Sequence, residues 1–301
     1  MRSLRPAALA ALVAAVWVAT ADAQAPKPVR LNRIIEKLEQ NRPVIGVSSM
    51  DRSLENAQFI ARSTRDDYVM INMESSSNNI ETLRTFLLGM IDKRSLVKKG
   101  NLQPNVTPVV KYWRDPTVFE VTQALDVGIM GIMFADIGTP AQALHAVRAM
   151  RYPQARGARD AEPRGLRGQS NRNAVWWWGV SEDDYFERAD LWPLDPNGEL
   201  LAVMIIESGE GVKNVDEIAR VPGVGAIFIG TSDLSADLGV KRPVTYYAGG
   251  EELAPEVEAA VQVVLKTCLA RKIPCGIGVN KDNQAKRLEQ GFRLVDPHDA
   301  R

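Results

Sequence analysis

Two carboxylates, Glu207 and Asp233, stand just beyond two short apolar runs, Ala202–Ile206 and Ala226–Ile229. Glu207 follows the first run directly. Asp233 follows the second after a Gly230-Thr231-Ser232 turn, and a helix-like segment lies between them. Acids at the ends of neighbouring parallel strands are how a βα barrel gathers hard oxygen ligands at one rim, and such a pair can hold Mg²⁺ or Mn²⁺. Each acid could instead cap the helix that follows it. Other chemistry-bearing residues fall at similar places. Asn72-Met73-Glu74-Ser75 and Lys111 end two further apolar runs, and Leu125-Asp126-Val127-Gly128 ends a helical pattern.

The elements that must position these groups form a repeating pattern. Eight apolar runs (Val44–Val47, Tyr68–Ile71, Val106–Val110, Ile129–Phe134, Ala202–Ile206, Ala226–Ile229, Cys275–Val279 and Phe292–Val295) alternate with segments of helical spacing. Near-continuous apolar strands separated by amphipathic helices predict a parallel sheet covered by helices. Eight repeats predict an α/β fold of the (β/α)8 TIM barrel type, with an open doubly wound sheet as the alternative. No G-x-G-x-x-G follows the first run, which argues against a dinucleotide site. Two irregularities remain. A long insertion, residues 154–200, separates strands 4 and 5 and carries Trp176-Trp177-Trp178. It is expected to leave from the carboxylate face, as a lid, an oligomer contact or a self-packed excursion. After Val295 the chain is too short for an eighth helix. This shortened C-terminus leaves one side of the barrel for a neighbouring subunit or the N-terminal helix to cover.

Residues 1–23 read as a signal peptide. Arg2 and Arg5 precede the apolar run Ala7–Val18 and the small-residue site Ala21-Asp22-Ala23, predicting cleavage after Ala23 and export, periplasmic or secreted. A retained anchor is the alternative, and no other stretch is apolar enough to span a membrane. A linker and an N-terminal helix (24–43) then lead into a barrel domain spanning 44–301. Lys plus Arg equals Asp plus Glu at 37 each, so no basic excess points to nucleic acid. Two histidines are too few for a His-rich metal site. An oxidising compartment would permit a Cys268–Cys275 bridge. Cys268 falls in a helical pattern and Cys275 opens a strand, however, so each is expected to be a small buried hydrophobe.

Ile71–Asn79 (INMESSSNN), Leu125–Gly128 (LDVG), Arg148–Pro153 (RAMRYP), the Ile206-Glu207 step and above all Phe228–Asp237 (FIGTSDLSAD) resemble the HpcH/HpaI aldolase family. These are metal-dependent class II pyruvate aldolases related to citrate lyase β subunits, and the resemblance runs from about Val44 to Val295. It implies a barrel, a homo-oligomer, and a divalent ion (Mg²⁺, Mn²⁺ or Co²⁺) on Glu207 and Asp233. It also implies a small 2-oxo acid substrate held at Gly230, Thr231, Ser232 and Asp233, with backbone N–H groups of Ser232 and Asp233 on its carboxylate. The metal would stabilise an enolate as a carbon–carbon bond breaks or forms. The chain departs from the pattern at several points. Ser75 stands where the family has its His, and Asp126 matches the Asp of the acid/base dyad. Lys111 replaces the active-site Arg, Ile205 a Gln, and Asn72 an Asp. Serine is no base near neutral pH without activation. Proton transfer would then fall to activated water, Glu74 or a residue of the Trp-bearing insertion. Lys111 would face the substrate oxygen as a positive charge, or form a Schiff base. The expected function is an aldolase-like carbon–carbon lyase; a non-catalytic or divergent periplasmic carboxylate-binding protein is the alternative.

Overall fold

A computed structural model describes residues 29–240 and 253–297. The expected signal peptide, the linker up to residue 28 and residues 298–301 lie outside the described residues. The strands are β1 (Val44–Ser49), β2 (Tyr68–Asn72), β3 (Thr107–Tyr112), β4 (Gly131–Phe134), the two-residue β5 (Leu191–Trp192), β6 (Leu200–Ile206), β7 (Ala226–Ile229), β8 (Cys275–Val279) and β9 (Leu294–Pro297). Every pairing is parallel. β4 pairs with β6 and β9 with β1, so eight strands close into a barrel while β5 extends the start of β6. The helices are α1 (Arg33–Glu39), α2 (Leu54–Ala61), α3 (Ile80–Gly89), α4 (Lys93–Lys99), α5 (Val118–Asp126), α6 (Pro140–Met150), α7 (Arg172–Trp178), α8 (Glu182–Arg188), α9 (Gly209–Ile218), α10 (Thr231–Asp237), α11 (Pro255–Arg271) and α12 (Gln284–Gln290). None among the described residues is long and apolar enough to cross a membrane.

Strand side chains alternate between two cores. Tyr68, Val109, Leu201, Val203, Ile205, Phe228 and Leu294 fill the barrel interior. Val69, Val110, Ala202, Met204, Ile206 and Val295 face the helical layer. This period of two decides which residues reach the mouth. One inward step beyond Val109, Ile205 and Leu294 come Lys111, Glu207 and Asp296. At the other end, Ile34, Ile35 and Leu38 of α1 pack into the interior cluster. Asn32 caps this helix, accepting from the N–H groups of Ile34 and Ile35. The N-terminal helix therefore closes the base of the barrel and does not cover its side.

The insertion leaves from the base, which overturns the expectation that it starts on the carboxylate face. α6 runs antiparallel to the strands, so its C-terminus returns the chain to the end where strands begin. There the insertion packs on its own barrel. Trp177 Nε1 donates to Leu87 O (2.8 Å), Trp178 Nε1 donates to Gly128 O (3.1 Å), and Trp178 meets Tyr185 edge-on at 4.7 Å. The lid reading falls and the self-packed one stands. Arg151 anchors the excursion: fully buried, it donates to both Asp190 oxygens at 2.6 and 2.7 Å and to the carbonyls of Asp160 and Pro163. Arg151→Ala leaves Asp190 buried without its cation, and the chain should lose about 3–5 kcal/mol, read as a lower denaturant midpoint.

Cys268 and Cys275 form a disulfide, contrary to the expectation of two separate buried thiols. Lys272 caps α11 in the left-handed conformation (φ 56°) and turns the chain back. That reversal brings the two Cα atoms to 5.8 Å, within bridging range.

Candidate active site at the barrel mouth

A cavity of about 900 Å³ opens at the C-terminal ends of the strands. Glu207, Asp233, Lys111, Glu74, Ser75 and Ser232 all line it. The structure thus brings together most residues singled out in the sequence, and it settles the capping question for Glu207. Ser208 is the cap of α9, its hydroxyl accepting from Gly211 N. Glu207 is left pointing inward, 4% exposed, with Oε1 accepting the Asp136 N–H at 2.8 Å. Asp233 sits in the first turn of α10, whose N-cap is Gly230 and which has no side-chain cap. The Ser232 hydroxyl is buried and makes no hydrogen bond among the described residues. Gly230 and Thr231 lead into the same turn, and Gly230 lines the cavity.

Close approach explains the glycine. A Cβ at Gly230 would lie 2.2 Å from Glu207 Oε2 and 2.9 Å from its Cβ. Gly230→Ala must therefore swing the carboxylate off the position its Asp136 contact fixes. Mn²⁺ affinity, measured by calorimetry, is expected to fall about 10–100-fold with the fold retained.

Lys111 Nζ lies 2.6 Å from Glu74 Oε2. Burial pulls the ammonium down, but the Glu207, Glu74 and Asp233 carboxylates outweigh it and hold the group above its usual value. Glu207 shows the other side of the same balance. Burial pushes its carboxyl up to about 7, with Asp233 and Glu74 adding to the rise and Lys111 opposing it. Asn72 Oδ1 accepts the N–H groups of Glu74 (3.0 Å) and Ser75 (2.9 Å), fixing the loop that carries both.

Asp126 is not part of this arrangement. It ends α5, a helix running away from the mouth, and pairs with the buried Arg167 of the insertion at 2.8 Å. Arg167 in turn stacks over Tyr152 at 4.2 Å. The expectation that Asp126 faces the mouth is corrected by helix direction: only strand ends and helix starts meet there. Three lining carboxylates were missed as site residues by the sequence reading, Asp136, Asp237 and Asp296. Asp136 adopts a left-handed φ of 50° and pairs with Arg114. Asp296 is the inward neighbour of Leu294, and extending the alternation by one residue would have found it.

Among the described residues, no three His, Cys, Asp or Glu side chains converge on one point. A full protein cage, as zinc prefers, is therefore not built from them. Two carboxylates, with water and substrate oxygens completing the shell, suit a hard dication of the Mg²⁺ type. The charge balance fits as well. Glu74, Asp136, Glu207, Asp233, Asp237 and Asp296 line the cavity, and Lys111 is the basic side chain among its described lining residues.

Residues 53–296 match the family model HpcH/HpaI aldolase/citrate lyase. A 4-hydroxy-2-oxo-heptane-1,7-dioate aldolase of Shigella sonnei is 33% identical over 262 residues, covering 86% of this chain and 85% of that protein. One from Klebsiella pneumoniae is 32% identical over 268 residues, 88% of this chain and 86% of that protein. The crystal structure of a HpcH/HpaI aldolase/citrate lyase family protein from Burkholderia cenocepacia superposes with a TM-score of 0.70 at 28% identity, covering 88% of this chain and 92% of the other. The chain belongs to the HpcH/HpaI aldolase/citrate lyase family.

Proposed function

We propose that the protein is a divalent-metal-dependent carbon–carbon lyase that cleaves a 4-hydroxy-2-oxo acid through the enolate of pyruvate. The observation that carries this reading is the meeting of Glu207, Asp233 and Lys111 on one cavity with the uncapped start of α10. Glu207 and Asp233 would hold Mg²⁺, Mn²⁺ or Co²⁺. Bound there, the ion supplies Lewis-acid stabilisation of charge on the 2-oxo oxygen. Lys111 places a second positive charge toward that oxygen, with its ammonium held by Glu74. The Ser232 hydroxyl and the backbone N–H groups of Ser232 and Asp233, in the first turn of α10, receive the substrate carboxylate. Glu74 is the carboxylate placed to orient water or accept a proton, since Ser75 lacks the basicity of an imidazole.

The test is direct. The mature protein with Mn²⁺ should exchange the methyl protons of pyruvate in D₂O and cleave a 4-hydroxy-2-oxo acid, with both activities lost on chelation. Ser75 favours a second reading, a carboxylate-binding protein without turnover. That reading wins if metal-loaded protein binds pyruvate but neither exchanges nor cleaves.

Export and self-association belong to the same proposal. The Cys268–Cys275 bridge and the signal-like N-terminus support an oxidising compartment. The exposed Phe59, Leu88 and Phe119 on the adjacent helices α2, α3 and α5 support a homo-oligomer, to be read by light scattering.

A further inference from the structure

The mouth cavity has a second polar pole, away from the residues that would hold the metal. Register carries the argument. Ile206 pairs with Ile229, Ile229 with Ile277, and Ile277 with Val295. Glu207 and Asp296 are each one residue beyond this row, at the C-terminal ends of β6 and β9. Around the barrel, β9 lies three strands from β6 and three strands from β3. Asp296 is therefore as distant in strand order from Glu207 as from Lys111. Its carboxylate is buried, 4% exposed, and accepts from Ser48 Oγ of β1 at 2.5 Å. Both side chains line the cavity, and Met70 and Phe228 form apolar wall between the two poles. Below them the Tyr68 hydroxyl is buried without a hydrogen-bond partner among the described residues. Burial first, then Asp296 and Asp67, hold that phenol well above its usual range, so it remains a donor.

Resting on the 2-oxo acid reading, we propose that Asp296 and Ser48 read the distal end of the substrate, selecting a hydrogen-bond-donating group there and rejecting a carboxylate. The 2-oxo acid end binds between Glu207, Asp233 and Lys111. A chain extending across the cavity then brings its far end toward Asp296. A hydroxyl or ammonium there donates to the buried acid, whereas a carboxylate meets like charge in a poorly solvated wall. Sites that hydrogen-bond a substrate group discriminate strongly against analogues lacking it.

Three 2-oxo acids of equal length separate these ends: 2-oxopentanoate, 5-hydroxy-2-oxopentanoate and 2-oxoglutarate. Their affinities for the Mn²⁺-loaded protein are measured by calorimetry and expressed relative to pyruvate, which is too short to reach Asp296. The hydroxylated compound should bind about tenfold or more tighter than 2-oxopentanoate, with 2-oxoglutarate weakest. Asp296→Asn should raise relative 2-oxoglutarate binding about tenfold or more. Ser48→Ala, a milder change, should lower the preference for the hydroxyl. Variants that bind pyruvate yet keep the wild-type ranking overturn the assignment of Asp296. Failure of pyruvate itself to bind the wild-type protein overturns the 2-oxo acid reading, and this inference with it.

Discussion

Glu207→Gln should abolish the proposed metal-dependent cleavage and, at pH 8, stabilise the metal-free protein. On that proposal activity and stability move in opposite directions, because one buried carboxylate would serve both. The folded protein holds the Glu207 proton to about pH 7, whereas the unfolded chain releases it near its ordinary value of 4.5. Between those values the folded state binds more protons than the unfolded state. The stability this group contributes is thus full below about pH 4.5 and lost as pH rises through about 7. The loss at pH 8 is on the order of 3 kcal/mol. Glutamine carries no charge to desolvate, so the variant escapes the loss. It also forfeits an anionic ligand, and kcat/KM should fall by about 10³-fold or more. Thermal unfolding at pH 5 and pH 8, with and without Mn²⁺, reads both effects. Wild type should gain stability from Mn²⁺ at pH 8 and the variant should not. A Glu207→Gln protein that cleaves its substrate with Mn²⁺ at the wild-type rate would remove Glu207 from the metal site.

The barrel was legible because its strands are short apolar runs between amphipathic helices, and closure needs eight of them. Ala202–Ile206 and Ala226–Ile229 match β6 and β7 to within two residues, and Thr139 with Pro140 opens α6 as a cap and first-turn proline should. At the mouth, Glu207, Lys111 and Asp233 could be placed because strand ends can be read from where hydrophobicity stops. Direction was harder. LDVG ends one helix and the insertion follows another, and helices return the chain to the base. Asp126 and the three tryptophans therefore belong to the end opposite the cavity. Asp136 depends on a left-handed residue in a loop, which a hydrophobic pattern does not report. The Cys268–Cys275 bridge depends on the left-handed Lys272, a conformation that side chains other than glycine seldom adopt. Helical and strand periodicity treated each cysteine alone and so separated them.

Lys111→Met should lower kcat/KM by about 10²–10³-fold, the cost of removing one preorganised group that faces developing negative charge. Lys111→Arg should keep most of the activity, because the guanidinium preserves the charge and can still reach Glu74. The methionine variant has a second consequence. Lys111 restrains the rise of the Glu207 carboxyl, so its loss lets that carboxyl climb further. Mn²⁺ binding near neutral pH should therefore weaken in Lys111→Met and recover at higher pH, which a metal titration across pH detects. The same electrostatics decide between the two roles open to this lysine. A Schiff base requires a neutral amine, yet the surrounding carboxylates hold Lys111 above its usual value and Glu74 engages it at 2.6 Å. Borohydride reduction in the presence of pyruvate should leave the mass of the Lys111 peptide unaltered. A pyruvate-derived adduct on that peptide would instead make the lysine the nucleophile, and chelators would then leave cleavage intact.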